Sequence, residues 1–169
     1  MFHDDLLQLA RRTFELDPGP GRPKQANLRR AISSAYYALF HLLIHEATSR
    51  MDLRGPEAVK YQRALSRAFE HEAMKLASAA IHATQVAGGI GSVAVPSDLK
   101  DVALAFVELQ RDRHTADYDL TRQFTKADAR LRLEQAEEAF AKWANVREDP
   151  AAALYLNLLT TYQSLKNRK

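Results

Sequence analysis

The chain of 169 residues contains no cysteine, which excludes a disulfide scaffold, a thiolate metal site and a cysteine nucleophile. Long apolar runs are also missing. The uncharged segment 76–97 is too rich in serine and glycine to match the roughly 20 predominantly apolar residues of a spanning helix. Acidic residues near the start argue against a secretory signal. We therefore expect a cytoplasmic protein without a membrane partner, folded as a single domain over 1–169.

Negative charge is absent from one region of the chain. No acidic residue lies between positions 18 and 45, while four basic residues do: Arg22, Lys24, Arg29 and Arg30. The formal net charge of only +3 does not by itself predict nucleic-acid binding. A local basic patch would raise the concentration of an anionic ligand nearby. The alternative explanation is a solvated helix start.

Apolar residues recur at helical spacing through almost the whole chain, and no segment alternates as a strand does. Predicted helices span about 2–16, 27–49 and 56–87, the last with a break near His71. Three more begin at the caps Ser97, Thr125 and Asp149; Asp128 completes a capping box with Thr125, and Pro150 follows Asp149. These patterns predict an all-α fold, an up-and-down bundle of five to six helices.

The second predicted helix carries no charge over the fifteen residues 31–45. Such a helix is covered nearly all round, by its own bundle or by a second chain. One apolar face is predicted from 4-3-4-3 spacing: Leu28, Ile32, Ala35, Leu39 and Leu42. A polar stripe recurs every four residues, at Ser33, Tyr37, His41 and His45. Because buried polar groups need partners, this stripe is expected to bond internally, face a dimer axis or border a cleft.

The segment RDRHTADYD, residues 111–119, places concentrated polar chemistry directly after an apolar helical pattern. Arg113 and Asp117 are four residues apart, so on a helix they would pair across one turn, contributing about 0.3–0.5 kcal/mol if exposed. The alternative is a site where Arg111, Arg113 and His114 bind phosphate and Asp117 orients a neighbour. Tyr118 either lines that site or packs its ring.

Proton transfer and metal binding both depend on the histidines. His114 is the best placed for proton transfer, and His41 on the polar stripe is a second candidate. His41 and His45 lie four apart on one helical face, a spacing that suits two metal ligands. Because no third ligand is within sequence reach, we expect no metal and no cofactor.

Four stretches in this order resemble the HEPN superfamily, and most nearly a little-characterised bacterial branch: RRAISSAYYALFHLLIHEA, RAFEHEAMK, FVELQRDRHTADYD and AEEAFAKW. The resemblance covers about residues 26–145, with a helix added at each end. It implies a helical bundle, a homodimer, and association with RNA cleavage in toxin–antitoxin and defence systems or with nucleotidyltransferase partners. Active members carry an arginine, four to six residues, then a histidine; the dimer joins two such motifs and cuts RNA without metal.

In that motif the arginine holds phosphate and the histidine moves a proton. This sequence departs from it, because no histidine lies five to seven positions after an arginine and Asp117 or Tyr118 stands at the histidine's place. The resemblance therefore implies catalytic roles for Arg113, His114, Asp117 and His41 only in an altered form. Phosphate binding is expected from Arg111 and Arg113. Tyr37 and Tyr118 are expected to line the site.

Three functions follow as hypotheses. The first is a dimeric HEPN-type protein that binds RNA or a nucleotide phosphate through residues 111–118, a component of a toxin–antitoxin or defence-type system with a degenerate nuclease motif. The second is an active metal-independent endoribonuclease. The third is a non-catalytic protein-interaction module, in which the same residues form structural ion pairs. An antitoxin or a nucleotidyltransferase is the partner that the resemblance implies.

Overall fold

The computed structural model describes residues 1–16, 23–51, 53–86 and 90–167. In these ranges the chain forms seven helices and one short antiparallel strand pair: α1 (Phe2–Glu15), α2 (Gln25–Ser49), α3 (Ala58–Ser66), α4 (His71–His82), β1 (Gln85–Val86), β2 (Gly91–Ser92), α5 (Ser97–Tyr118), α6 (Lys126–Val146) and α7 (Pro150–Lys166). The predicted all-α class is confirmed. The break between the first two predicted helices lies largely in residues 17–22, outside the described residues.

The helix count exceeds the predicted five to six because the region 56–87 divides. α3 ends at Ser66 and α4 begins at His71, which agrees with the break predicted there. Glu70 adopts an extended conformation, with φ −104° and ψ 135°, and an extended residue cannot continue a helix. The buried Phe69 lies in the same connection. One predicted helix therefore becomes two.

α5 includes the polar run, as the helical spacing of Arg113 and Asp117 allowed. The helix continues to Tyr118. Ala116 lies seven residues after the fully buried Leu109 and is itself buried. The inward face thus extends two further turns on a small residue, while the larger polar side chains occupy the other faces. The polar run is therefore the last part of a packed helix.

Contacts within the chain group it into two compact units. The first comprises Met1–His41 and Ala105–Ala141, and the second comprises Leu42–Leu104 and Lys142–Lys169. Every residue expected to be catalytic, phosphate-binding or site-lining falls in the first unit, whereas His45 falls in the second. That unit is the one whose packing decides the geometry of the site.

The first unit is packed around the predicted apolar face of α2. Leu28, Ile32, Ala35 and Leu39 are all buried, as the spacing predicted. Beside the polar run, five buried residues form one cluster with Phe14 packed against it: Leu28, Ile32, Ala116, Phe124 and Ala129. This cluster joins the start of α2, the end of α5 and the start of α6. Burying a large apolar side chain contributes about 1.5–3 kcal/mol, so the cluster fixes the end of α5.

α2 is covered by its own chain along the uncharged segment 31–45. Ala31, Ala35 and Ala38 are 1% exposed or less, whereas Tyr37 and His41 are only partly buried. Of the two coverings that the sequence allowed, the intramolecular one is therefore present. In the described ranges, no helix combines the length and the hydropathy needed to cross a bilayer.

In the second unit, α4 packs against α7. Ser78 and Tyr155, both fully buried, share a hydrogen bond of 2.7 Å between their hydroxyl groups. Burial raises the pKa of Tyr155, although the bond to Ser78 opposes the change. α7 begins as predicted, because the Asp149 side chain accepts a 2.7 Å hydrogen bond from the Ala151 amide and Pro150 follows the cap.

The predicted capping box at the start of α6 is also present. Asp128 Oδ2 accepts hydrogen bonds from the Thr125 amide at 2.7 Å and from Thr125 Oγ1 at 2.8 Å. Thr125 Oγ1 in turn accepts from the Asp128 amide at 3.1 Å. The bond from the Thr125 amide holds the pKa of Asp128 below its ordinary value of 3.8.

Replacing Thr125 with alanine is expected to lower the free energy of unfolding by about 1 kcal/mol near neutral pH. The lowered pKa of Asp128 gives this contribution a pH dependence. It is present above the ordinary carboxyl pKa and is lost as pH falls through the folded-state pKa. Urea titrations of the wild type, T125A and the cap-preserving T125S from neutral to acidic pH will measure it. Equal losses for T125A and T125S would contradict the capping role.

Candidate functional site

The polar run at the end of α5 presents two faces with different surroundings. Arg113 and Asp117 lie against α2, where they meet Ser33 and Tyr37. We call Ser33, Tyr36, Tyr37, Arg113 and Asp117 the inner cluster. Arg111, His114 and Tyr118 recur at spacings of three and four, so they share another helical face, and all three are exposed. We call these three residues the outer face.

Arg113 is the centre of the inner cluster, and its side chain is only 12% exposed. Its Nη2 donates a hydrogen bond to the Tyr37 hydroxyl. The guanidinium carbon lies 5.1 Å from the centroid of the Tyr37 ring, 5.7 Å from that of Tyr36 and 5.8 Å from that of Tyr118. Three aromatic rings therefore surround one cation, an arrangement that stabilises its charge away from bulk water.

The ion pair predicted between Arg113 and Asp117 is present. Arg113 Nε lies 2.9 Å from Asp117 Oδ2. The buried N–H is not aligned with that oxygen, so the contact is an ion pair without a well-directed hydrogen bond. Burial lowers the pKa of Arg113, but the Tyr37 hydrogen bond and the charge of Asp117 outweigh it and the pKa is raised. Arg113 is thus a fixed, charged group.

Ser33 completes the inner cluster by donating a hydrogen bond to Asp117 Oδ1. Ser33 is 4% exposed. The polar stripe on α2 therefore finds internal partners at three of its positions, because Ser33 bonds Asp117, Tyr37 bonds Arg113, and the His45 ring lies 3.5 Å from the Ser49 hydroxyl. Of the alternatives that the sequence left open for this stripe, internal hydrogen bonding describes these three residues.

Arg111 lies on the outer face, and its side chain is 61% exposed. Its Nε donates to Asp112 Oδ1 at 3.0 Å, and this hydrogen bond raises the pKa of Arg111. The other oxygen of Asp112 pairs with Arg132 Nε. Two guanidinium groups thus share the Asp112 carboxylate, and the charge of Glu108 also acts on Arg111.

The rest of the outer face is aromatic. The rings of His114 and Tyr118 have centroids 5.0 Å apart with an interplanar angle of 50°. Tyr118 is 65% exposed, although its ring also contacts Arg113 from the other side. Tyr118 therefore joins the outer face to the inner cluster.

His41, the second candidate for proton transfer, lies in an aromatic row on α2 and α1. Its ring centroid is 6.4 Å from that of Tyr37, with near-parallel planes, and 4.8 Å from that of Phe2, edge to face. Because Tyr37 also accepts from Arg113, one tyrosine contacts both the arginine and the histidine. His114 lies on the outer face, so the two candidate histidines have different surroundings.

Arg29, expected to be part of an anion-attracting patch, instead bonds the backbone at the end of α5. Its Nη1 donates to the Ala116 carbonyl at 2.7 Å, and its Nη2 donates to the carbonyls of Asp119, at 2.9 Å, and Arg122. These carbonyls have no helical N–H to accept from, because they lie in or beyond the last turn. Arg29 therefore closes the helix that presents the outer face.

Two residues of the site were not singled out from the sequence. Arg132 neutralises part of Asp112 from twenty residues away, and no local spacing connects them. Tyr36 lies beside Tyr37 in sequence, yet it is fully buried and supports the Arg113 guanidinium from the core. For Tyr36, the signal available in the sequence was its pairing with Tyr37.

Two open surface cavities lie away from this region. One of about 440 Å³ is lined by residues of and next to α3, including Val59, Lys60 and Arg63. The other, of about 310 Å³, is lined by the start of α6, including Lys126 and Arg130. No outer-face or inner-cluster residue lines either cavity. A ligand at the outer face would bind on an exposed helical surface.

Comparisons with protein-family models, curated proteins and solved structures produced no match to this chain.

Proposed function

We propose that this chain binds RNA or a nucleotide phosphate through the outer face, as a HEPN-type dimeric protein. The observation that supports this most directly is the exposure of Arg111 together with the sharing of Asp112 between two arginines. The Arg111 guanidinium therefore keeps much of its surface open to solvent, with Asp112 and Glu108 as its acidic neighbours. A guanidinium with an open edge matches the geometry of phosphate oxygens and binds them by charge-assisted hydrogen bonds.

The aromatic part of the outer face indicates what accompanies the phosphate. His114 and Tyr118 present neighbouring rings to solvent, one and two turns from Arg111. Bases of unpaired nucleotides stack on such rings, each contributing about 1–3 kcal/mol, whereas bases within a duplex are already stacked. Single-stranded RNA is therefore the favoured ligand class.

The inner cluster has a different part in this proposal. Arg113 is held by Asp117 and Tyr37, so it positions the end of α5 and supports Tyr118 instead of binding phosphate directly. Because the histidine spacing of active HEPN members is missing, cleavage is expected to be weak or lost. The role in a toxin–antitoxin or defence system, with an antitoxin or nucleotidyltransferase partner, rests on the HEPN resemblance.

Replacing Arg111 with glutamate is expected to weaken the binding of a labelled single-stranded RNA at least about tenfold, because it removes a phosphate-binding cation and adds a repulsive charge. Fluorescence anisotropy over a range of salt concentrations will measure both affinity and salt dependence. The slope of log affinity against log salt should become shallower by about 1, because the variant neutralises one phosphate fewer.

Arg63→Glu is the matched control, because Arg63 is exposed on α3 and the change in net charge is the same. The control is expected to change affinity by no more than about twofold. Equal losses for the two variants would mean that only overall charge matters, and the outer face would then have no special role.

A second candidate, a metal-independent endoribonuclease, is favoured by the contacts that link Arg113, Tyr37 and His41. In such a reaction the RNA 2′-oxygen bonds to phosphorus, the 5′-oxygen leaves, and a 2′,3′-cyclic phosphate forms. One group removes the 2′-hydroxyl proton and another protonates the leaving oxygen. Incubating the protein with RNA in EDTA and analysing the ends will test it. Intact RNA at high protein concentration would exclude this candidate and leave RNA binding without cleavage as the proposed function.

A further inference from the structure

α1 carries a second apolar face that is largely exposed to solvent. Its inward residues His3, Ala10 and Thr13 are buried. Phe2, Leu9 and Leu16 are nevertheless 61%, 41% and 64% exposed. They are spaced seven residues apart, and Leu16 keeps helical dihedral angles just after the helix, so the three form one line. Scattered exposed apolar residues are normal, but three in register along one helix mark a contact surface.

Two charged residues complete this line and limit what can cover it. Asp5 and Arg12 are exposed and alternate with the apolar residues at spacings of three and four. We call Phe2, Asp5, Leu9, Arg12 and Leu16 the α1 stripe. A carboxylate and a guanidinium inside an apolar line oppose burial in lipid, where both would lose hydration. They suit a partner that presents opposite charges at matching positions.

The α1 stripe is complementary to itself when two copies run antiparallel. With Leu9 opposite Leu9 of a second copy, Phe2 lies opposite the second copy's Leu16. Asp5 then lies within about 1.5 Å, one residue rise, of the level of the second copy's Arg12. A parallel pair would instead place each charge beside its like. Only the antiparallel arrangement joins apolar to apolar and acid to base along the whole stripe, and it is two-fold symmetric.

We infer that two copies of this chain associate through antiparallel pairing of their α1 stripes about Leu9. The inference deepens the homodimer of the proposed function by giving it an interface, and it does not depend on RNA binding. α2, the helix that the sequence offered for docking, is already covered by its own chain. Arg11, next to the stripe, is held by Glu137 at 2.6 Å and does not compete for Asp5.

The size of the interface sets its expected strength. A helix of this length extends about 20 Å, so a single helix pair buries less than the 1,200–2,000 Å² of standard interfaces. We therefore expect a dissociation constant that is about micromolar or larger. The interface also adjoins the site, because the Phe2 ring contacts His41. Covering Phe2 would therefore shield the edge of the aromatic row that leads to Tyr37.

The test uses charge swaps read by sedimentation velocity from about 1 to about 500 µM protein. Asp5→Arg and Arg12→Asp should each weaken self-association at least about tenfold, because each places like charges opposite one another. Mixing the two variants should restore a heterodimer, since all facing pairs are then opposite in sign. The double variant D5R/R12D should restore the homodimer. Glu15→Arg is the control, with the same charge change as Asp5→Arg on the same helix but off the stripe.

Several results would overturn the inference. These are a wild type that stays monomeric over the whole range, single variants that associate as well as the wild type, and a mixture that fails to associate. Circular dichroism of each variant will confirm that α1 is still folded. RNA binding is measured in parallel on D5R and R111E. A wild type that stays monomeric and still binds RNA in an R111E-sensitive way would remove only this inference, and dimerisation without RNA binding would remove only the proposed ligand.

Discussion

Replacing Arg113 with methionine is expected to lower the free energy of unfolding by about 2–3 kcal/mol. Methionine has a similar length and can fill the space between the tyrosine rings, so the change removes charge more than volume. Asp117 would lose its ion-pair partner and the Tyr37 hydroxyl would lose its donor. Because both groups are partly buried, water replaces these interactions only in part.

Urea denaturation followed by circular dichroism will measure this destabilisation, with Arg111→Met as the matched control. Arg111 is mostly exposed, so its replacement should change stability by no more than about 0.5 kcal/mol. Arg113→Lys keeps the charge but lacks the planar guanidinium group, so its loss of stability is expected to lie between those of R113M and R111M. If Arg113 instead binds phosphate, as the sequence predicts, R113M would lose RNA binding and keep its stability.

Replacing Arg29 with alanine is expected to destabilise the fold by about 2–3 kcal/mol, because three backbone carbonyls lose a charged donor at once. Those carbonyls belong to Ala116, Asp119 and Arg122, at the end of α5 and the start of its connection to α6. The Arg29 guanidinium also lies 5.4 Å from the centroid of the Phe124 ring, so the substitution removes packing together with the hydrogen bonds.

Hydrogen exchange gives this second prediction a local readout. Amides of residues 119–124 should lose protection in R29A before the rest of the chain does, because this connection is what Arg29 holds. Arg30→Ala is the control, since Arg30 is adjacent, exposed and has the same charge. Uniform loss of protection along the chain, or equal losses in the two variants, would mean that Arg29 does not close α5.

Local patterns predicted the features that depend on residues close in sequence. The buried face of α2 followed from its 4-3-4-3 spacing, and the caps Thr125 and Asp149 followed from side chains that reach amides two or three residues away. The Arg113–Asp117 ion pair likewise joins residues one helical turn apart. Each of these is decided within a single turn, where helix geometry leaves few alternatives.

The arrangement of the site could not be predicted in the same way. Arg29 bonds carbonyls 87 to 93 residues away, and the hydrogen bond between Tyr37 and Arg113 joins residues 76 apart. These contacts exist because α2 and α5 pack side by side, which spacing along one helix does not reveal. For the same reason the sequence did not separate the inward Arg113 from the outward Arg111. The HEPN resemblance, the homodimer and the ligand stay predictions.

The position of the single tryptophan has a consequence for these experiments. Trp143 is 2% exposed and belongs to the second unit, whereas Arg29 and Arg113 belong to the first. Its emission therefore reports solvent entry into one unit, while circular dichroism averages over the helices of both. Agreement between the two optical signals during denaturation would mean that the units unfold cooperatively. A difference between the two denaturation curves that appears only in R29A or R113M would show that the first unit unfolds while the second stays folded.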